Sequence, residues 1–116
     1  MPLLELTTNV QLPDAKAFSL ELSKVGAEAL GKPEAYISVI IKYNETLTFG
    51  GTHDPAFQMM VISLGNINPA ATEKYSKALS EFLNQKLGLS NDRGYMYVRI
   101  TLERRAGLIV DHQYFH

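Results

Sequence analysis

The chain has 116 residues, no cysteine and a formal net charge of -1, from 11 Lys and Arg against 12 Asp and Glu. That length suits one domain spanning 1–116. The near-neutral charge lacks the basic footprint of a nucleic-acid binder, and the missing thiols exclude thiol catalysis, disulfide scaffolds and cysteine-based zinc or redox sites.

Hydrophobic residues make up 46% of the chain, enough for a core without metals or disulfides. The start, Met1-Pro2-Leu3-Leu4-Glu5, has no basic region and meets an acid early, so it does not read as a secretory signal. Apolar runs such as Val39-Ile40-Ile41 fall far short of the roughly 20 residues that span a bilayer. A cytoplasmic protein with no membrane or nucleic-acid partner is expected. The sequon Asn44-Glu45-Thr46 matters only in a secretory route.

In chain order, Leu3 to Thr8 alternates as a strand does. Pro13-Asp14 opens a helix whose stripe is Phe18, Leu22, Val25 and Ala29, stopped by Gly31 and Pro33. Tyr36 to Tyr43 is rich in β-branched residues and reads as a strand, and Thr48-Phe49-Gly50-Gly51 as a turn. Phe57 to Leu64 is the next strand, ending at Gly65. Asn68-Pro69 starts a second helix, with Tyr75, Leu79, Phe82 and Leu83 on one side, ending near Gly88. Tyr95 to Leu102 is the last long strand, and the tail from Gly107 is less regular.

The order is β-α-β twice. Units of this kind make parallel strand pairs, which predicts an α+β, two-layer fold: a four-stranded sheet with two helices on one face. Two helices cover one side of such a sheet and no more. The uncovered side is not polar, since Met60, Ile62 and Leu64 alternate against Phe57, Met59 and Val61, and Tyr95, Tyr97 and Arg99 against Met96, Val98 and Ile100. Other copies of the chain are the simplest cover, making a homo-oligomer; the plainer reading is a half-exposed sheet with scattered apolar residues.

Two residues carry candidate chemistry. Methionine ahead of a small residue is commonly removed, which would leave Pro2 as a free secondary amine. A free α-amino group titrates near roughly 7.7–8.0, and burial or a nearby cation lowers that by penalising the charged form. Pro2, flanked by Leu3 and Leu4, would then be largely neutral at pH 7 and able to act as a general base. Lys32, just past a helix end, has an ordinary reading as a complement to the helix dipole. Its functional reading is to hold an anionic substrate and depress the base's pKa.

Met1-Pro2, Thr8-Asn9-Val10, Gly31-Lys32-Pro33-Glu34, Tyr36-Ile37, Phe49-Gly50-Gly51, Asp54-Pro55, Ser63-Leu64-Gly65 and Ser90-Asn91-Asp92-Arg93 occur in order. Together they resemble the macrophage migration inhibitory factor and D-dopachrome tautomerase family of the tautomerase superfamily, over roughly residues 1 to 107. The resemblance implies a homotrimer with sites between subunits and a cofactor-independent keto-enol tautomerase. Pro2 would be the catalytic base for a small aromatic α-keto acid such as phenylpyruvate, or a dopachrome-type substrate. Lys32 would bind the carboxylate, the Leu64 backbone N–H would touch the substrate, and Tyr95 of a neighbouring subunit would donate a hydrogen bond. Tyr36 and Phe49 would line the pocket.

The chain also departs from that family. Tyr97 stands where the family has Asn and would narrow the pocket; Ala56-Phe57-Gln58-Met59 replaces a Cys-x-x-Cys; and Gly107-Leu108-Ile109-Val110 replaces the usual tail. These changes keep open a cytokine-like binding protein of the same fold with a vestigial site, a protein receptor as partner and release by a non-classical route. A third reading, decarboxylation or dehalogenation of small acids, would draw on Arg99. His112 and His116 are too few ligands for zinc, His53 reads as a solvated turn residue, and Glu103-Arg104-Arg105 as a surface charge run. No metal and no cofactor is expected.

Overall fold

The computed structural model describes residues 2–64, 69–104 and 107–115 of the 116; at 64, 69–72, 100–104 and 107–115 the description is of the backbone. Strand β1, Leu3–Thr8, buries Leu4, Leu6 and Thr8 and turns Leu3, Glu5 and Thr7 the other way, as strict alternation requires. Helix α1, Ala15–Leu30, begins where the Asp14 side chain accepts a hydrogen bond from the Ala17 N–H at 3.0 Å. Its buried stripe is Phe18, Leu22, Gly26, Ala29 and Leu30, with Val25 only partly covered.

The expected strand from Tyr36 is shorter than its composition suggested. Glu34–Tyr36 forms a 3-10 turn, closed by Tyr36 N–H to Pro33 O and Ile37 N–H to Glu34 O, both 3.0 Å, and β2 is Ser38–Tyr43. β3 is Phe57–Leu64, α2 Pro69–Leu87 and β4 Gly94–Arg104. The expected cap Asn68 and the strand stop Gly65 lie outside the described residues.

The sheet order is β2-β1-β3-β4-β5, where β5 is Gly107–Phe115. β1 runs parallel to β2 and β3 parallel to β4, while β1 and β3 are antiparallel. The four strands and the two parallel pairs are those expected from two β-α-β units; the antiparallel β1–β3 pairing that joins the units makes the sheet mixed. The fifth strand corrects the reading of an irregular tail: β5 pairs antiparallel with β4, Arg104 opposite Gly107 and Met96 opposite Phe115. Leu108-Ile109-Val110 suits a strand, but no Asn-Gly or Asp-Gly turn announces the hairpin.

Both helices lie on one face. They meet through the tilted Phe18–Phe82 ring pair, centroids 5.3 Å apart, and a Lys86–Glu21 ion pair at 2.9 Å. These contacts join the start of α1 to the end of α2, so the helices are antiparallel. Leu4, Leu6, Leu22, Met59, Val61, Leu79, Leu83, Met96 and Val98 fill the space between helices and sheet at 0 or 1% exposure. Each such aliphatic side chain contributes about 1.5–3 kcal/mol of burial. Among the described residues, no helix is long and apolar enough to cross a membrane.

Candidate functional site

The strand registers sort the nominated residues into two groups. Pro2 is buried just ahead of β1, and its carbonyl accepts from the Ser38 N–H at 3.0 Å, tying the chain start to the first residue of β2. Leu3 pairs with Ile62 on β3, so Leu64, two residues on, lies at this same end of the sheet. Lys32 is brought there by the end of α1. Gly31 adopts φ 64°, which a side chain would strain, and lets the Lys32 N–H reach back to Ala27 O at 3.1 Å. The helix therefore stops abruptly, and half-buried Lys32 leads into the 3-10 turn that carries Tyr36, 63% exposed, toward Ser38. Pro2, Lys32, Tyr36 and the Leu64 backbone thus cluster at one end.

Tyr95 and Phe49 gather at the other end, and Tyr97 lies between the two, level with Glu5. Tyr95 pairs with Gln58, which pairs with Thr7 near the far end of β1. Five residues separate Thr7 from Pro2, about 17 Å along the strand. Tyr95 is 45% exposed on the helix-free face, with its ring 5.3 Å from that of Phe49. Tyr97, opposite Met60, continues that row. Tyr95 and Tyr97, together with Glu5, Thr7, Gln58 and Met60, line an open cleft of about 470 Å³. Glu5 is paired across the face with Lys42 at 2.8 Å. A smaller recess of about 250 Å³ lies between Phe49, Ala56, Phe57 and Tyr95.

The structure therefore does not bring Pro2 and Tyr95 together within one chain. The helix-free face between the two ends carries exposed apolar side chains, Ile40 at 40% and Met60 at 37% with Leu3 and Ile62 beside them, interspersed with the Glu5–Lys42 pair, Gln58 and Arg99.

Two residues without an assigned role prove to organise the Tyr95 end. The Asn9 amide donates to the carbonyls of Leu47, His53 and Asp54, each at 3.1 Å, and its oxygen accepts from the Ala56 N–H at 2.9 Å. Arg93 donates to Phe49 O, Thr52 Oγ1, Asp54 O and Pro55 O at 2.8, 3.0, 2.9 and 3.3 Å, and lies 5.1 Å over the Phe49 ring. Most of these contacts join residues some 38 to 47 positions apart, which no local spacing reveals. His53 sits in this exposed turn, and Arg99 is exposed on the helix-free face opposite the backbone of His112; His116 lies outside the described residues.

The family profile described as Macrophage migration inhibitory factor (MIF) matches residues 1–103. The chain belongs to the macrophage migration inhibitory factor family. It is 37% identical over 97 residues to macrophage migration inhibitory factor of Mus musculus, covering 83% of this chain and 84% of that one. It is 34% identical over 98 residues to the Trichinella spiralis homolog, covering 84% and 86%. Among solved structures, the Trichinella spiralis factor superposes with a TM-score of 0.77 at 31% identity, covering 84% and 87%, and the Prochlorococcus marinus homologue with 0.73 at 30%, covering 87% and 86%. The family match ends within β4, so β5 lies beyond it.

Proposed function

We propose that this chain is a cofactor-independent keto-enol tautomerase of small aromatic α-keto acids, with the freed Pro2 nitrogen as general base and the working unit a homotrimer. The observation that carries the reading is the division of the nominated residues between opposite ends of one sheet. A second protomer laid across the helix-free face, where Ile40 and Met60 are exposed, would bring its Tyr95 to the first protomer's Pro2.

In that site the Lys32 ammonium holds the substrate carboxylate. The Pro2 nitrogen removes a proton from the carbon beside the ketone. The C–H electrons form the new C=C bond and the carbonyl electrons move to oxygen, where the Tyr95 hydroxyl and the Leu64 N–H stabilise the developing charge. The proton on Pro2 is then delivered to that oxygen, giving the enol and the neutral amine; the reverse sequence returns the ketone. Burial of Pro2 opposes the protonated form of its freed nitrogen and so lowers its pKa. Phe49 and Tyr36 would bracket the aromatic ring, and Tyr97 would narrow the pocket beside it.

The test is tautomerisation of phenylpyruvate by wild type and Pro2→Ala, after mass spectrometry shows that the leading methionine is gone. Pro2→Ala should lose about 10² to 10⁴-fold, the range of a general base. A correctly processed wild type without activity would favour the second reading, a binding protein acting on a protein receptor, which the relatives' name and the Tyr97 departure support.

A further inference from the structure

We infer that Arg93 is a positioning residue for the aromatic wall of the site: it fixes Phe49 against Tyr95 and so sets affinity for the aromatic part of the substrate. This rests on the tautomerase reading for its kinetic consequence, though not for its geometry.

Arg93 stands two residues before Tyr95, at the turn entering β4. Its own backbone is fixed on both sides, donating to Ser90 O at 3.0 Å and accepting from the Phe57 N–H at 3.2 Å. The guanidinium fork then reaches the loop between β2 and β3 at four points, the Phe49 carbonyl closest at 2.8 Å. Gly50 and Gly51 follow Phe49 with φ of 61° and 79°, so the segment has little intrinsic preference for one shape. The bridge of Phe49 to Thr52, at 3.0 and 3.2 Å, is local and short. Asn9 holds the loop from β1 through Leu47, His53, Asp54 and Ala56, and the long-range hydrogen bond to Phe49 itself comes from Arg93. The same guanidinium lies over the Phe49 ring, which in turn meets Tyr95 at 5.3 Å. One planar cation thus holds both the backbone and the ring of Phe49. Lysine, with a single charged nitrogen, cannot span these acceptors.

Arg93→Ala and Arg93→Lys should raise KM for phenylpyruvate about tenfold and severalfold respectively, with a smaller loss of kcat, because the base and the carboxylate anchor are at the other end and the Tyr95 backbone stays paired in β4. KM for pyruvate, which has no ring, should hardly move. A second readout needs no activity: the Tyr95 ring proton resonances should shift and broaden in Arg93→Lys, as the Phe49 ring leaves, while those of Tyr75 on α2 stay put. Thr52→Ala, which removes one acceptor of Arg93 together with the Thr52 hydroxyl's own 3.4 Å bond to the Phe49 carbonyl, serves if the arginine variants do not fold and should give a smaller shift of the same kind, absent in Thr52→Ser. Unchanged Tyr95 resonances, or equal loss of kcat for both substrates, would overturn the inference. An inactive wild type would sink the tautomerase reading and leave the resonance test standing.

Discussion

Two separately crippled chains should restore one another when assembled together. Pro2→Ala removes the proposed base and leaves Tyr95 intact; Tyr95→Ala does the reverse. Within a chain the two positions lie about 17 Å apart along the strands, because Tyr95 is level with Thr7 through Gln58. A site of three to four ångström contacts cannot draw both from one protomer. If a site takes Pro2 from one protomer and Tyr95 from its neighbour, a random equimolar mixture leaves about a quarter of sites with both, one half for each requirement. Unfolded variants should be mixed, refolded together and assayed for phenylpyruvate tautomerisation per mole of chain, against wild type refolded alike. The account expects close to a quarter of the wild-type rate, well above either parent. A mixture equal to the mean of its parents would refute the shared site. A fully active Tyr95→Ala would remove that residue from it.

Three further substitutions test the scaffold. Leu22→Ala empties a fully buried position on α1 and should cost about 2–5 kcal/mol in urea unfolding at fixed protein concentration. Gly94→Ala should cost about 1–3 kcal/mol, since the new methyl group meets both the ring and the carbonyl oxygen of Phe57; adding Phe57→Ala should relieve only the ring's share of the clash. Gly31→Ala should cost about 1–2 kcal/mol in the left-handed conformation, Gly31→Asn less, and each should raise KM by shifting Lys32.

How much was legible beforehand follows from the range of the interactions. β1 was legible from alternation, β3 from an apolar run between turn residues, and α1 from Asp14 and Gly31, all features decided within a few residues. The two parallel pairs followed from the lengths of the β-α-β crossovers. Tyr36 was misplaced because its turn is closed by Pro33 and Glu34, and β2 begins only at Ser38, whose N–H donates to the Pro2 carbonyl across 36 positions. β5 was read as irregular because a strand at a sheet edge shows only as pairing with β4. Pro2 and Lys32 were nominated from their own chemistry, whereas Leu64 and Tyr95 came only from the family resemblance. The roles of Asn9 and Arg93 were invisible, since most of their partners are backbone groups, which any sequence possesses, some 38 to 47 positions away.

The account stands most directly on the state of one nitrogen. With ¹⁵N-labelled proline, the Pro2 resonance can be followed by NMR through a pH titration of the assembled protein. It should titrate below the roughly 7.7–8.0 of a free α-amino group, because burial opposes its protonated form, and the midpoint should rise in Lys32→Ala as a nearby positive charge is removed. A resonance that never titrates, as for an amide, or one with a midpoint above that range, would contradict the claim.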